Sequence, residues 1–192
     1  MAKRNDAAVE FLQTRRSRPY KTLQGPAPDR DALQEILTAA ARTPDHGKLE
    51  PWRFVVLEQA ALQRLAGLAR TRGAALGHEQ EQIDKIAAMF EKAPLSVAVV
   101  ASPKPSEKIP EIEQVLSSGA VCLALLNCAL AAGWGANWLS GWTAHDRPFL
   151  KEGLGLDAPE FVAGFIHLGT ETATPPDRPR PNLDAITTWV SA

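Results

Sequence analysis

Arg15-Arg16-Ser17-Arg18 places three guanidinium groups and a hydroxyl in four consecutive residues. The planar fork of N–H donors on arginine matches the oxygens of a phosphate dianion, so this run is the best anion-site candidate in the chain. The competing reading is a solvated basic patch, because short basic runs are common on protein surfaces. Arg42-Thr43-Pro44-Asp45-His46, with Pro51-Trp52 just beyond, brings a further Arg, a His and an aromatic ring onto one connection. Polar groups on loops held between buried elements are typical of binding sites. His46 reads equally as a surface or capping histidine, and Trp52 reads first as a packing residue. Trp134, Gly135, Asn137, Trp138, Ser140, Gly141 and Trp142 combine backbone freedom with flat apolar faces, which suits a planar aromatic ligand approaching the chain closely. Tryptophans at intervals of four would also form a helical stripe, a reading that Gly133, Gly135 and Gly141 weaken.

Other chemistries find no support. The sequence holds no G-x-G-x-x-G, no Walker glycine loop, no H-E-x-x-H, no C-x-x-C and no G-x-S-x-G. His46, His78, His145 and His167 lack metal-ligand spacing, so no metal site is expected. Lys plus Arg number 21 against 22 Asp plus Glu, for a net charge of -1, which excludes a general attraction to nucleic acid or anionic membrane. Any anion must therefore be held by a local cluster.

The elements that position these residues follow from periodicity and breakers. A first helix carrying Ala8, Val9, Phe11 and Leu12 ends near Arg15 to Arg18, since Pro19 disfavours helical geometry before it. Asp29 is a predicted N-cap for a helix with Leu33, Ile36, Leu37, Ala40 and Ala41 on one stripe, closed by Pro44. Arg53 to Glu58 and Leu95 to Ala101 read as strands buried on both faces, separated by two helices with Gly73 and Gly77 between them. Glu113 to Ala132 reads as a long helix, apolar all round from Gly119, and Phe161 to Gly169 as a last strand after a short helix ended by Gly153 and Gly155. The run Ala120 to Gly133 is shorter than a bilayer requires and carries Asn127, so it reads as a core helix.

At 192 residues and 45% hydrophobic content, the chain is expected to form one domain, with residues 170–192 as a proline-rich extended tail. The tail ends in Ile186, Trp189 and Val190, which need a surface to lie on. Cys122 and Cys128, six apart in a helix, point to different faces and read as buried thiols. With no apolar core of a signal peptide in Met1 to Glu10, the expected setting is a reducing cytoplasm. The fold class is α+β, with a small mixed sheet flanked by helices and a long central apolar helix.

Arg15-Arg16-Ser17 after the first helix, Arg42-Thr43-Pro44-Asp45-His46, Pro51-Trp52, Trp138-Leu139-Ser140-Gly141 and Phe165-Ile166-His167-Leu168-Gly169, taken in this order, resemble the FMN-dependent nitroreductase family, above all its short bacterial members. The resemblance runs from about Ala7 to at least Gly169 and rests on the series of motifs, each of which is weak alone. It implies an interlocked homodimer with two FMN molecules at the subunit interface, NADH or NADPH as electron donor, and a tail laid over the partner. Carried over to this chain, Arg15, Arg16 and Ser17 would hold the phosphate and ribityl region, Arg42 and His46 would reach the flavin of the other subunit, and Trp138, Leu139 and Ser140 would complete the pocket. Where short members can carry a basic residue this chain has Leu139, so only its backbone N–H is left for a phosphate contact. The implied chemistry is ping-pong electron transfer to nitroaromatics or quinones, with no side chain named as acid, base or nucleophile, since the cofactor does the hard chemistry. A family offshoot with other flavin chemistry (dehalogenation or ring oxidation), a flavin-storing or redox-sensing protein without turnover, and a dimer that has lost its cofactor are the alternatives.

Overall fold

The computed structural model describes residues 3–191. Helix α1 (Asp6–Thr14) is capped by the Asn5 side chain and ends at Arg15, within the stretch before Pro19 where a helix must stop. Asp29 accepts the Ala32 N–H and starts α2 (Arg30–Ala40), whose Leu33, Ile36 and Ala40 are buried. Five strands follow the sequence in the order β1 (Leu23–Gln24), β2 (Trp52–Leu57), β3 (Leu95–Ala101), β4 (Gly135–Leu139) and β5 (Phe161–Glu171). The helices between them are α3 (Gln59–Ala75), α4 (Gln80–Glu91), α5 (Glu111–Ala131) and α6 (Arg147–Leu154), with α7 (Leu183–Ile186) in the tail.

β5 is the organising strand, pairing with β1, β3 and β4, while β2 forms an edge beyond β3. Every pairing among the described residues is antiparallel, where a mixed sheet was expected. The cause is the connection between β2 and β3. One crossover helix would return the chain for a parallel strand, but α3 and α4 form a hairpin that brings it back beside the end of β2, and Leu57 pairs with Ser96. The helix pair also revises the reading of Gly73, which lies inside α3 rather than between the helices. A Cβ there would sit 2.8 Å from Ile83 Cγ1, so the glycine lets α3 and α4 approach closely. Gly77, at φ 74°, makes the break.

The sheet divides two cores. Along β3, Ala98 and Val100 face α3, α4 and α6, while Leu95, Val97 and Val99 face α2 and α5. β3 is buried on both faces as expected, but β2 is not: Arg53 and Val56 are exposed, because β2 is the sheet edge and lacks a strand on its outer side. α5 packs its Val121, Cys122, Leu125, Leu126 and Ala129 against the sheet and α2, so its apolarity serves a core. Burial pushes the Cys122 thiol up to about 12, and both cysteines are free. The other face of α5 leaves Ile112, Leu116 and Leu123 exposed, and Leu183, Ile186, Trp189 and Val190 of the tail are exposed as well. Exposed apolar surface on this scale calls for a partner.

Candidate functional site

α1 ends by directing the arginine loop against the sheet. The Arg15 N–H bonds the Phe11 carbonyl at 2.8 Å, and the Arg18 N–H bonds the Ala136 carbonyl of β4 at 2.8 Å. Asn137 donates its side-chain amide to the Arg18 carbonyl, and the Arg18 guanidinium pairs with Glu171 at the end of β5. Within the loop, Arg15 donates to Ser17 Oγ at 3.1 Å and Arg18 to the Arg16 carbonyl at 2.8 Å. These ties leave Arg15 and Arg16 as the unsatisfied members. Their Nε atoms are buried without a hydrogen-bond partner, and neither residue has a carboxylate within ion-pair range among the described residues. Burial, then the nearby charges of Arg180, Arg16 and Arg18, hold the Arg15 guanidinium below its ordinary value. A cavity of about 310 Å³ opens beside this cluster, lined by Phe11, Thr14, Arg15, Arg16, Arg18 and Trp134 among others. The chemistry of these donors suits an anion.

β4 leads from this loop to a second cavity. Two residues, about 7 Å of strand, separate Asn137 from Leu139. Leu139 and Ser140 line a cavity of about 360 Å³ together with Tyr20, Trp142 and the α4 residues Gln82, Lys85, Ile86 and Met89. Gly141 leaves the strand at φ 146°, a conformation that frees the backbone to turn away at the cavity rim. The strand and the short turn that follows it rule out the helical stripe of tryptophans. Strand alternation sends Trp138 to the opposite face from Leu139. Its indole crosses Gly164, where a Cβ would collide with Nε1, and lies near Cys122 of α5. The Trp138 side chain is thus outside the cavity that Leu139 and Ser140 line.

Arg42 and His46 sit elsewhere, on the exposed connection between α2 and β2. α5 fixes this connection at several points. Ser117 Oγ donates to the Pro44 carbonyl at 3.0 Å and accepts the Trp52 Nε1–H at 3.1 Å, Ser118 Oγ donates to the Pro51 carbonyl at 3.3 Å, and His46 Nδ1 donates to the Glu113 carboxylate at 2.6 Å. Trp52 is therefore a partly buried anchor whose role is packing. Lys48 and Glu50 take positive φ, at 55° and 48°, and the Glu50 N–H bonds Asp45 Oδ2 at 3.0 Å. Non-glycine residues in this region persist only where their surroundings over-determine them, and such strain clusters at functional sites.

Glu113 of this second group lies in the first turn of α5, whereas Leu130, near the end of α5, lines the arginine cavity. The span between them is about 25 Å at about 1.5 Å per residue. One chain thus brings together Arg15, Arg16 and Ser17 with Leu139 and Ser140 along β4, and holds Arg42 and His46 apart at the far end of α5. Sequence reasoning missed Arg180, Tyr20, Glu113 and the α4 residues. The period of Gln82, Lys85, Ile86 and Met89 was a legible signal of a shared helix face, but nothing local marks Arg180, which reaches Arg15 only through the course of the tail. Among the described residues no group of His, Cys, Asp or Glu could hold a metal ion.

Comparison with known proteins gives a consistent result. The Nitroreductase family model matches residues 12–170. YdjA of Escherichia coli strain K12, by name a candidate NAD(P)H nitroreductase, is 36% identical over 163 residues, covering 85% of this chain and 87% of that one. The crystal structure of a nitroreductase-like family protein from Bacillus cereus superposes with a TM-score of 0.81 at 21% identity and covers 100% of both chains. A nitroreductase with bound FMN from Bacteroides fragilis superposes with a TM-score of 0.73 at 20% identity, over 95% of this chain and 98% of that one.

Proposed function

Since this chain belongs to the nitroreductase family, we propose that it is an FMN-dependent oxidoreductase that takes electrons from NADH or NADPH and passes them to small acceptors such as nitroaromatics or quinones. The observation that carries the reading is the arginine loop. Buried, unpartnered guanidinium nitrogens on Arg15 and Arg16 stand at one end of β4, and a cavity walled by Leu139, Ser140, Tyr20 and Trp142 stands at the other. A phosphate on a flexible chain joined to a planar ring has this same polarity, charged at one end and flat and apolar at the other. FMN is therefore a fit on the chemistry of the donors.

In this reading Arg15, Arg16, Ser17 and Arg180 hold the phosphate and ribityl region, and Leu139 and Ser140 lie along the ring through backbone and side chain. Bound FMN would supply hydride acceptance and release, with nicotinamide and acceptor reacting in turn in a ping-pong order. The protein positions the partners and limits water at the ring. Arg42 and His46 are about 25 Å away along α5, so they serve the site of a second subunit, and each site of the homodimer draws on both chains. The exposed face of α5 with Ile112, Leu116 and Leu123 fits the seam of that dimer. The tail fits it too: Thr187 is extended, Trp189 and Val190 are exposed, and β2 offers a free sheet edge for an added strand. The free thiols accord with a cytoplasmic setting.

The test is spectroscopic. After loading with FMN and removal of excess, the protein should retain the oxidised flavin band, NADH or NADPH should bleach it without air, and a nitroaromatic or quinone should restore it. Retained flavin that neither nucleotide bleaches would point to a storage or sensing protein. Failure to retain flavin would remove the reading.

A further inference from the structure

α4 presents two faces of different character. Ile83, Ala87, Met89 and Phe90 are buried in the core against α3 and the sheet. The exposed Gln82 and Lys85, the half-buried Ile86 and the buried Met89, spaced at i, i+3, i+4 and i+7, form an adjoining stripe that makes one wall of the cavity of about 360 Å³ whose opposing lining is Tyr20, Leu139, Ser140 and Trp142. That wall is held in place. Gly73 of α3 lets Ile83 come close, and a Cβ at Gly73 would also lie 3.5 Å from Trp142 Cζ2, so α3, α4 and the Trp142 turn are packed as a unit. Trp142 is further fixed by an edge contact with Phe149, ring centroids 5.8 Å apart.

The lining is two aromatic rings, two aliphatic side chains, a thioether, an amide, a hydroxyl and one charge. Lys85 is the only charged residue of that lining, and among the described residues it makes no ion pair, not even with Glu81 one turn earlier. Ligand sites are built this way, from apolar walls that take a flat body and a few polar groups that choose among bodies of the same shape. An ammonium without a counter-charge at the edge of a largely apolar cavity discriminates by charge.

Resting on the proposed flavin enzyme, whose ring would lie on the Leu139–Ser140 side of this cavity, we propose that the facing α4 wall is the acceptor subsite and that it selects planar aromatic acceptors bearing an anionic substituent, such as a ring carboxylate, with the Lys85 ammonium as its partner and Gln82 as a second donor or acceptor. For a nitroaromatic carboxylate the reaction balances as one nitroarene, one reduced nicotinamide and one proton giving the nitroso compound, oxidised nicotinamide and water. The carboxylate is untouched and serves only to hold the ring in the cavity.

The experiment uses the FMN-loaded protein and two acceptors of the same shape, 4-nitrobenzoate and neutral 4-nitrobenzyl alcohol. The native enzyme should favour the anion in kcat/KM by roughly 10- to 100-fold, the range of one charge-assisted contact. Lys85→Met, which keeps the stem, should collapse that ratio mainly through KM, and Lys85→Glu should invert it. Benzoate, which cannot be reduced, should quench the tryptophan fluorescence of the native protein more tightly than benzyl alcohol does, and Lys85→Met should abolish the difference. Equal kcat/KM for the two acceptors, a ratio unchanged in Lys85→Met, or a Lys85→Met defect confined to NADH or NADPH would overturn the subsite. If the flavin is not bleached by either nucleotide the enzyme reading fails instead, and benzoate binding still decides the subsite by itself.

Discussion

Replacing Arg15 with Gln separates a binding role from a structural one, because the two predict opposite changes in the protein without flavin. Arg18 and Arg180 have carboxylate partners in Glu171 and Asp177, while Arg15 and Arg16 have none among the described residues. Burial and the charges of Arg180, Arg16 and Arg18 all disfavour the Arg15 cation. Removing that charge relieves the flavin-free protein of repulsion, so its melting temperature should hold or rise. With FMN present the same substitution removes a charge-assisted hydrogen bond of about 1.5 to 3 kcal/mol, which weakens Kd by roughly 10- to 150-fold. At saturating flavin the loss appears as a melting temperature lower by roughly 3 to 12 °C, taking about 2 to 4 °C per kcal/mol for a chain of this size. Quenching of FMN fluorescence gives Kd, and calorimetry with and without flavin gives both stabilities. A variant that binds FMN as tightly as the native protein and melts lower without it would refute the reasoning and make Arg15 structural.

Three further outcomes follow from other parts of the molecule. His167 is fully buried on β5 without a hydrogen-bond partner, and burial lowers its pKa to about 4 from 6.5. The unfolded chain takes up a proton that the native state refuses, so this residue's contribution to stability is intact above about pH 6.5 and declines as pH falls toward about 4, by on the order of 3 kcal/mol in total; urea midpoints of His167→Leu should lack that part of the acid slope, and identical slopes would contradict it. Glu113→Gln replaces a charged partner of His46 with a neutral one and should weaken FMN by about fivefold while leaving monomer stability nearly unchanged, since both side chains are exposed in one chain; an unaltered Kd in a flavin titration would detach His46 from the site. Deleting residues 181–192, which removes Leu183, Ile186, Trp189 and Val190 but keeps Arg180, should shift the dimer toward monomer in sedimentation, and an unchanged dimer would exclude the tail from the interface.

Local chemistry was the legible part of this sequence. Asp29 declared a cap, Pro19 an end, and the apolar run of β3 a buried strand, each because the cause lies within a few residues of its effect. Gly73 misled for the converse reason: glycine signals a break or a close approach alike, and only the partner across the gap, Ile83, decides. β2 was read as buried because its side chains are apolar, yet burial there depends on a neighbouring strand that the chain does not supply in cis. Within the candidate site, residue type and spacing point to the arginine loop and Ser140, and Leu139 enters only through the family resemblance. Arg180 and Glu113 were not, since their links to Arg15 and His46 arise from the path of the tail and the packing of α5.

In a site shared between subunits, the arginine loop comes from one chain and Arg42 and His46 from the other. Co-expression of two inactive variants tests it directly, one carrying Arg15→Gln with Arg16→Gln and the other Arg42→Ala with His46→Ala, each with its own tag so that mixed dimers can be isolated. A mixed dimer contains one intact site and one doubly damaged one, so it should bind one FMN per dimer at native affinity and reach about half the native rate of flavin bleaching by NADH or NADPH. Mixed dimers as inactive as their parents would mean that both groups act within a single chain, and would contradict the account.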